Sequence, residues 1–265
     1  MTAQLRASLR LTESAGQRLD TLQALVGREF RMRYKGSFFG VIWAVLSPLG
    51  TVVILQLVFT KIFTFGTAHF GAFLYSAMLP WAWFQSAVQT SATTLSDNRD
   101  LVRTPFFAKP MLPGAVTCTN FLLYLCALPV LFGLMMVDGL HLTRALAALP
   151  VIWIVQGILT LGFTVFIAAI GILVRDVQHL MGVLLMLWFY LTPIFYDMKQ
   201  VPPGLARWFS LNPMAAIISA HRGVMLYGQF PNWRELGQWG LIGGVILGGS
   251  LLIFRQLEDA FIDET

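Results

Sequence analysis

Long apolar runs, unbroken by any charge, organise this chain. Asp, Glu, Lys and Arg are absent from residues 37–60, 62–96, 110–137, 145–174, 177–196 and 236–254. A helix rises about 1.5 Å per residue, so roughly 20 apolar residues cover the ~30 Å hydrocarbon core of a bilayer. Six crossings are therefore expected, the last two runs being only just long enough. Ahead of them, Leu19, Leu22, Val26 and Phe30 recur at three- and four-residue spacing among Arg18, Arg28, Arg31 and Lys35. This pattern predicts an amphipathic helix over 17–35, lying in the membrane interface.

The polar interruptions add detail. Pro48 should bend the first span. The second run exceeds one crossing, and His69, Gly71 and the cluster Pro80-Trp81-Ala82-Trp83-Phe84 suggest a short outer loop followed by a helix. Residues Ser96-Asp97-Asn98-Arg99-Asp100-Leu101-Val102-Arg103 read as a short helix, acidic first and basic later, cut off from the next span by Pro105 and Pro110. Gly157, Gly162 and Gly171 offer close helix contact. From 197 to 234 the chain is moderately apolar but holds Lys199, Arg207, Arg222 and Arg234, which argues against a simple crossing. Pro202-Pro203 opens this region and Asn212-Pro213 divides it into helices over 204–211 and 214–227, each too short to span. A re-entrant pair on the outer side and an amphipathic hairpin lying flat on the surface both fit.

Composition agrees with a membrane protein: 57% hydrophobic, 12% charged, mean hydropathy +0.70 over 265 residues. Soluble domains carry about 25% charged residues. The chain is expected to divide into a cytoplasmic segment 1–36, one six-helix domain 37–256 and a cytoplasmic tail 257–265. With both termini cytoplasmic, twelve of the 18 Lys and Arg lie inside and six outside, in keeping with the positive-inside rule. The basic residues then face anionic lipid headgroups, and no nucleic-acid partner is implied. Residues 1–36 are polar and basic and no cleavage site follows the first run, so no cleaved signal is expected. Cys118 and Cys126, both inside the third run, read as inert packing residues.

The runs contain no acidic or basic residue at mid-membrane of the kind that coupling-ion carriers use. G-x-S-x-G, H-E-x-x-H and the G-x-x-x-x-G-K-[ST] phosphate loop are all missing, and no metal site is suggested. Active transport would need its energy from another chain.

Three blocks carry a family likeness. The first is Arg28-Glu29-Phe30-Arg31-Met32-Arg33-Tyr34-Lys35-Gly36-Ser37-Phe38-Phe39-Gly40, leading into Trp43 and Pro48. The second runs from Asn98 to Pro110, and the third from Thr192-Pro193-Ile194-Phe195-Tyr196 through Val201-Pro202 to Asn212-Pro213 and Arg222. In this order they resemble the membrane subunits of type-2 ABC exporters, specifically the permeases for O-antigen, capsular or teichoic-acid polysaccharides. Pro105-Phe106-Phe107 and Thr192 depart from that pattern, which bears on the subfamily.

The resemblance implies a homodimer in a bacterial plasma membrane, paired with two copies of a separate ATPase that carries the ATP and Mg; no cofactor is expected on this chain. Asp97, Asn98, Arg99, Asp100, Leu101 and Val102 would form the coupling helix, with Arg175 and Asp176 as a second contact; an ordinary solvated loop is the plainer reading. Arg28, Arg31, Arg33 and Lys35 stand where a lipid-linked pyrophosphate would arrive, although positive-inside bias accounts for the same residues. Trp81, Trp83, Phe84, Tyr190, Phe195 and Tyr196 could stack on sugars, or form an interfacial belt. Pro202, Asn212, Pro213 and Arg222 would belong to an outer gate. A drug exporter and an ATP-independent carrier are the competing classes.

Overall fold

The computed structural model describes residues 15–40, 42–61, 69–104, 107–174 and 176–257, and every regular element among them is helical. Ten α-helices follow one another: α1 Ala15–Tyr34, α2 Ile42–Lys61, α3 Phe70–Ser91, α4 Arg99–Arg103, α5 Met111–Val137, α6 Leu149–Leu173, α7 Val177–Tyr190, α8 Pro203–Phe209, α9 Pro213–Met225 and α10 Trp233–Gln256. Short 3₁₀ turns precede α4, α6 and α8.

Three segments among the described residues are long and apolar enough to cross a membrane: Met111–Val137, Arg144–Leu173 and Trp233–Gln256. Leu46–Val58 within α2 and Val177–Tyr190 are apolar but shorter. His69, in the left-handed region (φ 61°), starts α3; the short loop expected before it, over 62–68, lies outside the described residues. The aromatic cluster lies in the middle of α3, with Trp81, Trp83 and Phe84 buried.

Helix α3 is the centre of the bundle, packed against α2, α5, α6, α7 and α9 and buried along most of its length. Gln156 Nε2 of α6 donates to the Pro80 carbonyl at 2.8 Å across this helix pair, while its buried Oε1 has no partner among the described residues. A second apolar cluster closes the end that carries α1 and α4. It joins Leu25, Leu95, Val102, Leu112, Ala169, Ile172 and Phe254, from six stretches of the chain.

Small residues set the closest approaches. A methyl on Gly162 would meet Leu247 N of α10 at 3.1 Å, and one on Gly243 would meet Leu159 Cα of α6 at 3.2 Å. Ser250 Oγ donates to the Gly162 carbonyl at 3.0 Å across the same contact. Gly171 is tighter still, with the Ala92 carbonyl oxygen 2.0 Å from where a Cβ would lie. Of the three glycines expected to serve helix contact, Gly157 alone has only ordinary contacts, against the Trp83 ring. Without a hydrophobic drive between helices in lipid, this intimate packing is what holds them.

Apolar side chains are exposed on α2 (Val53, Ile54, Leu57), α7 (Leu180, Val183, Leu187) and α10 (Leu241, Val245, Leu252), as suits a lipid-facing or partner-facing surface. Gly171→Ala forces a clash with backbone, and overpacking of this kind costs about 1–3 kcal/mol. The thermal unfolding midpoint of the detergent-purified variant should fall, while Gly244→Ala, facing open space, should leave it unchanged or slightly raised.

Candidate functional site

The structure separates the candidate residues into three places. The first is the segment 96–103. Asp97, Arg99, Asp100 and Arg103 are exposed, while Asn98 is half-buried with its Nδ2 donating to the Thr94 carbonyl at 2.7 Å. Val102 is 1% exposed and Leu101 packs beside it in the end cluster. The short helix thus presents charge outward and roots its apolar end in the bundle, so its outward chemistry is ionic. Asp176 is exposed at the start of α7, which Gln89 Nε2 ties to α3 by donating to the Gln178 carbonyl at 2.9 Å. Arg175 lies outside the described residues.

The second place is the end of α1. Arg31 and Lys35 are exposed, Arg28 is half-buried beside Thr94 and Asn98, and Arg33 reaches inward. Its Nη1 donates to Asn120 Oδ1 at 2.9 Å and its Nη2 to Thr90 Oγ1 at 3.2 Å, bridging α1 to α5 and α3. The four basic residues are therefore not equivalent. Thr90 and Asn120 were not foreseen as partners; the one available signal was an asparagine inside an otherwise apolar run.

The third place is at the far end, where α7 gives way to α8 and α9. The two short helices run over Pro203–Phe209 and Pro213–Met225, close to the expected bounds. Asn212 breaks them and is a hub. Its Oδ1 accepts from Met214 N at 3.0 Å, capping α9, and from Trp188 Nε1 at 2.9 Å. Its Nδ2 donates to the Leu191 carbonyl at 3.1 Å and to Thr192 Oγ1 at 3.0 Å. Pro213 fills the first position of α9, where a missing N–H costs nothing. Helix α9 is largely buried against α3 and α6, whereas α8 shows Leu205 and Trp208 outward and Pro202 is exposed. A hairpin lying wholly flat on a surface does not describe α9.

Arg222 of α9 is 3% exposed. Its Nη1 donates to the carbonyls of Pro193 (2.6 Å) and Tyr196 (3.0 Å), and its Nη2 to those of Ile194 and Phe73. The guanidinium carbon lies 3.6 Å from the Phe73 ring centroid. The two Nη groups of this planar fork reach the Pro193, Ile194 and Tyr196 carbonyls of one turn, something a lysine cannot match, while Nε has no partner among the described residues. Nearby, Tyr227 Oη donates to Asp197 Oδ2 at 2.7 Å. Burial first, then that carboxylate, pushes the Tyr227 phenol up to about 12, so it stays a donor.

The aromatic candidates divide. Trp81, Trp83 and Phe84 are buried, with Trp81 and Phe84 packed edge-to-face against Trp188, which leaves them little free surface for a sugar. Tyr190 is 62% exposed, and it stacks on the half-buried Phe195 at 6.4 Å between centroids. Tyr196 packs edge-on against Phe209. The described residues hold no cluster of His, Cys, Asp and Glu suited to a metal.

The profile of the ABC-2 type transporter family matches residues 20–226. The chain is 31% identical over 257 residues to the O-antigen export system permease protein RfbA of Myxococcus xanthus, covering 96% of this chain and 99% of that one. It is 26% identical to the protein of the same name from Klebsiella pneumoniae, over 97% and 99% of the two chains. Polysialic acid transport protein KpsM of Escherichia coli is 23% identical, over 91% and 95%.

Arg222→Lys keeps a charge and loses the fork. Hydrogen bonds to a charged group contribute about 1.5–3 kcal/mol each, so amide exchange across residues 191–197 should quicken by more than tenfold. The same change at exposed Arg207 should leave exchange there unaltered.

Proposed function

This chain belongs to the ABC-2 type transporter family, and from that premise we propose that it is the permease subunit of an ATP-driven exporter of a lipid-linked, O-antigen-like polysaccharide. One observation carries the reading: similarity to O-antigen permeases covers 96–97% of this chain and 99% of those relatives. The long apolar helices and the absence of a nucleotide-binding loop are in keeping with it.

In this reading the chain crosses a bacterial inner membrane six times, with both termini cytoplasmic and 37–256 as the membrane domain. It works as a homodimer with two copies of a separate ATPase, which binds the ATP and Mg. The exposed charges Asp97, Arg99 and Asp100 meet the ATPase, with Arg175 and Asp176 as a smaller contact. Leu101 and Val102 anchor that helix to the bundle. Arg28, Arg31, Arg33 and Lys35 receive the pyrophosphate of a polyprenyl-linked glycan, since guanidinium groups pair bidentately with phosphate oxygens. Tyr190, Phe195 and Tyr196 offer ring surface to passing sugars. The turn held by Asn212 and Arg222, with Pro202 and Pro213 bounding α8 and α9, gates the outer end. Nucleotide-driven movement of α4 spreads the two permease copies, and the glycan passes outward.

Removing the gene should abolish surface polysaccharide and leave lipid-linked polymer inside the cell; normal surface polymer would sink the proposal. For coupling, the double change Arg99→Glu, Asp100→Lys touches exposed side chains only. Glycan-stimulated ATP turnover of the reconstituted complex should fall at least tenfold while the permease stays folded. Unchanged turnover and export would remove α4 from that role.

A further inference from the structure

The far end of the bundle holds a cavity of about 260 Å³, closed by α9, the chain between α9 and α10, and the turn before α8. Asp197, Gln229, Asn232 and Glu235 line it together with Arg222 and Phe230. It lies opposite α1 and α4: α10 starts here at Trp233, while its other end places Phe254 in the cluster with Leu25 and Val102. Sites for drug-sized ligands run from about 300 Å³ upward, so this space suits one small ring and not a long chain.

Local structure fixes the polar groups. Gly228 turns the chain at φ 62°, and Gln229 N donates back to the Gly223 carbonyl at 2.8 Å. Asn232 Oδ1 accepts from Glu235 N at 3.4 Å, capping α10, so the free end of this amide is its Nδ2 donor. Asp197 is held by the Tyr227 hydroxyl. Glu235 is half-buried, and no basic side chain among the described residues pairs with it. Phe230 is 60% exposed, its ring tilted against Trp233. Carboxylate acceptors, amide donors and one open ring in a small cavity complement a pyranose, whose hydroxyls both donate and accept around an apolar C–H face.

Charge then decides which pyranose. The lining carries two carboxylates and one cation. Both Nη groups of Arg222 are committed to backbone carbonyls and its Nε is fully buried, so its fork is closed to an incoming carboxylate. An acidic sugar would bring a further negative charge beside Glu235 with no donor cation to receive it. Unpaired charge of this kind is how a site rejects a close relative of its ligand. The guanidinium in the same wall counts against a metal ion.

We propose that this cavity binds one neutral sugar unit and discriminates against acidic ones. Asp197 and Glu235 accept from its hydroxyls, Gln229 and Asn232 donate to it, and Phe230 covers its apolar face. The inference deepens the transport reading and rests on it only for the ligand being a unit of the exported glycan. The recognition chemistry is shared by a lone sugar and by a sugar within a polymer.

The test is saturation-transfer NMR on the full-length, detergent-purified chain. The probes are methyl α-mannopyranoside, methyl α-galactopyranoside, an α-linked mannotriose, methyl α-glucuronide and calcium ion. At least one neutral probe should bind, and the glucuronide about tenfold more weakly. Glu235→Gln should bring the glucuronide to within about threefold of the neutral probe, a gain that misfolding cannot produce. Phe230→Ala should weaken every sugar by about fivefold, and Arg207→Gln, on α8 outside the cavity, should change nothing. Tighter binding of mannotriose than of its monosaccharide assigns the site to a unit within the polymer; equal binding assigns it to a lone or terminal unit. Absence of neutral binding, equal binding of the glucuronide to the unaltered chain, an unchanged preference in Glu235→Gln, or displacement of sugar by calcium would overturn the proposal. Export that needs the gene without any sugar binding removes this site alone, and sugar binding without that need removes the transport reading alone.

Discussion

Hydrocarbon offers no hydrogen-bond partner, and this constraint shapes the molecule from backbone to site. Peptide groups turn inward on themselves, so every regular element among the described residues is helical. Where the helix must stop, as between α7 and α9, its carbonyls need other donors. Asn212 and Arg222 supply them, one as an amide hub and the other as a guanidinium fork. There protein side chains supply the donors that irregular backbone otherwise takes from water.

The same constraint explains how the helices hold together. Apolar surface gains nothing by leaving lipid for protein of equal polarity, so close contact must supply the attraction. The crossing of α6 and α10 rests on Gly162, Gly243 and Ser250, and the crossing of α6 with the end of α3 rests on Gly171. These positions hold shape, while large exposed residues on α2, α7 and α10 remain free for lipid or a second copy.

Much of this was legible in the chain, because a missing charge is a strong signal. The amphipathic α1, the short α4, the Asn212 break and the helices beside it follow from spacing, proline and charge alone. Direction of burial was harder to read. Leu101 and Val102 look in sequence like an outward docking face, yet the bundle end needs them as packing. Trp81, Trp83 and Phe84 look like an interface belt, yet they sit mid-helix in α3 and fill the interior. A hydrophobic run in a membrane protein has no polar side to mark which face meets protein, and so periodicity is silent there. Arg33 illustrates the converse: four basic residues at the end of α1 read alike, and only the positions of Thr90 and Asn120 set one of them apart.

Val102 shares its cluster with Leu25 of α1, Ile172 of α6 and Phe254 of α10. A force applied to the charged rim of α4 would therefore not be absorbed by a loose loop. It would be shared at once among distant parts of the chain, much as a rivet loads every plate it pins. Shortening that one valine would slacken the joint without altering a single surface charge, separating the grip of a contact from its throw.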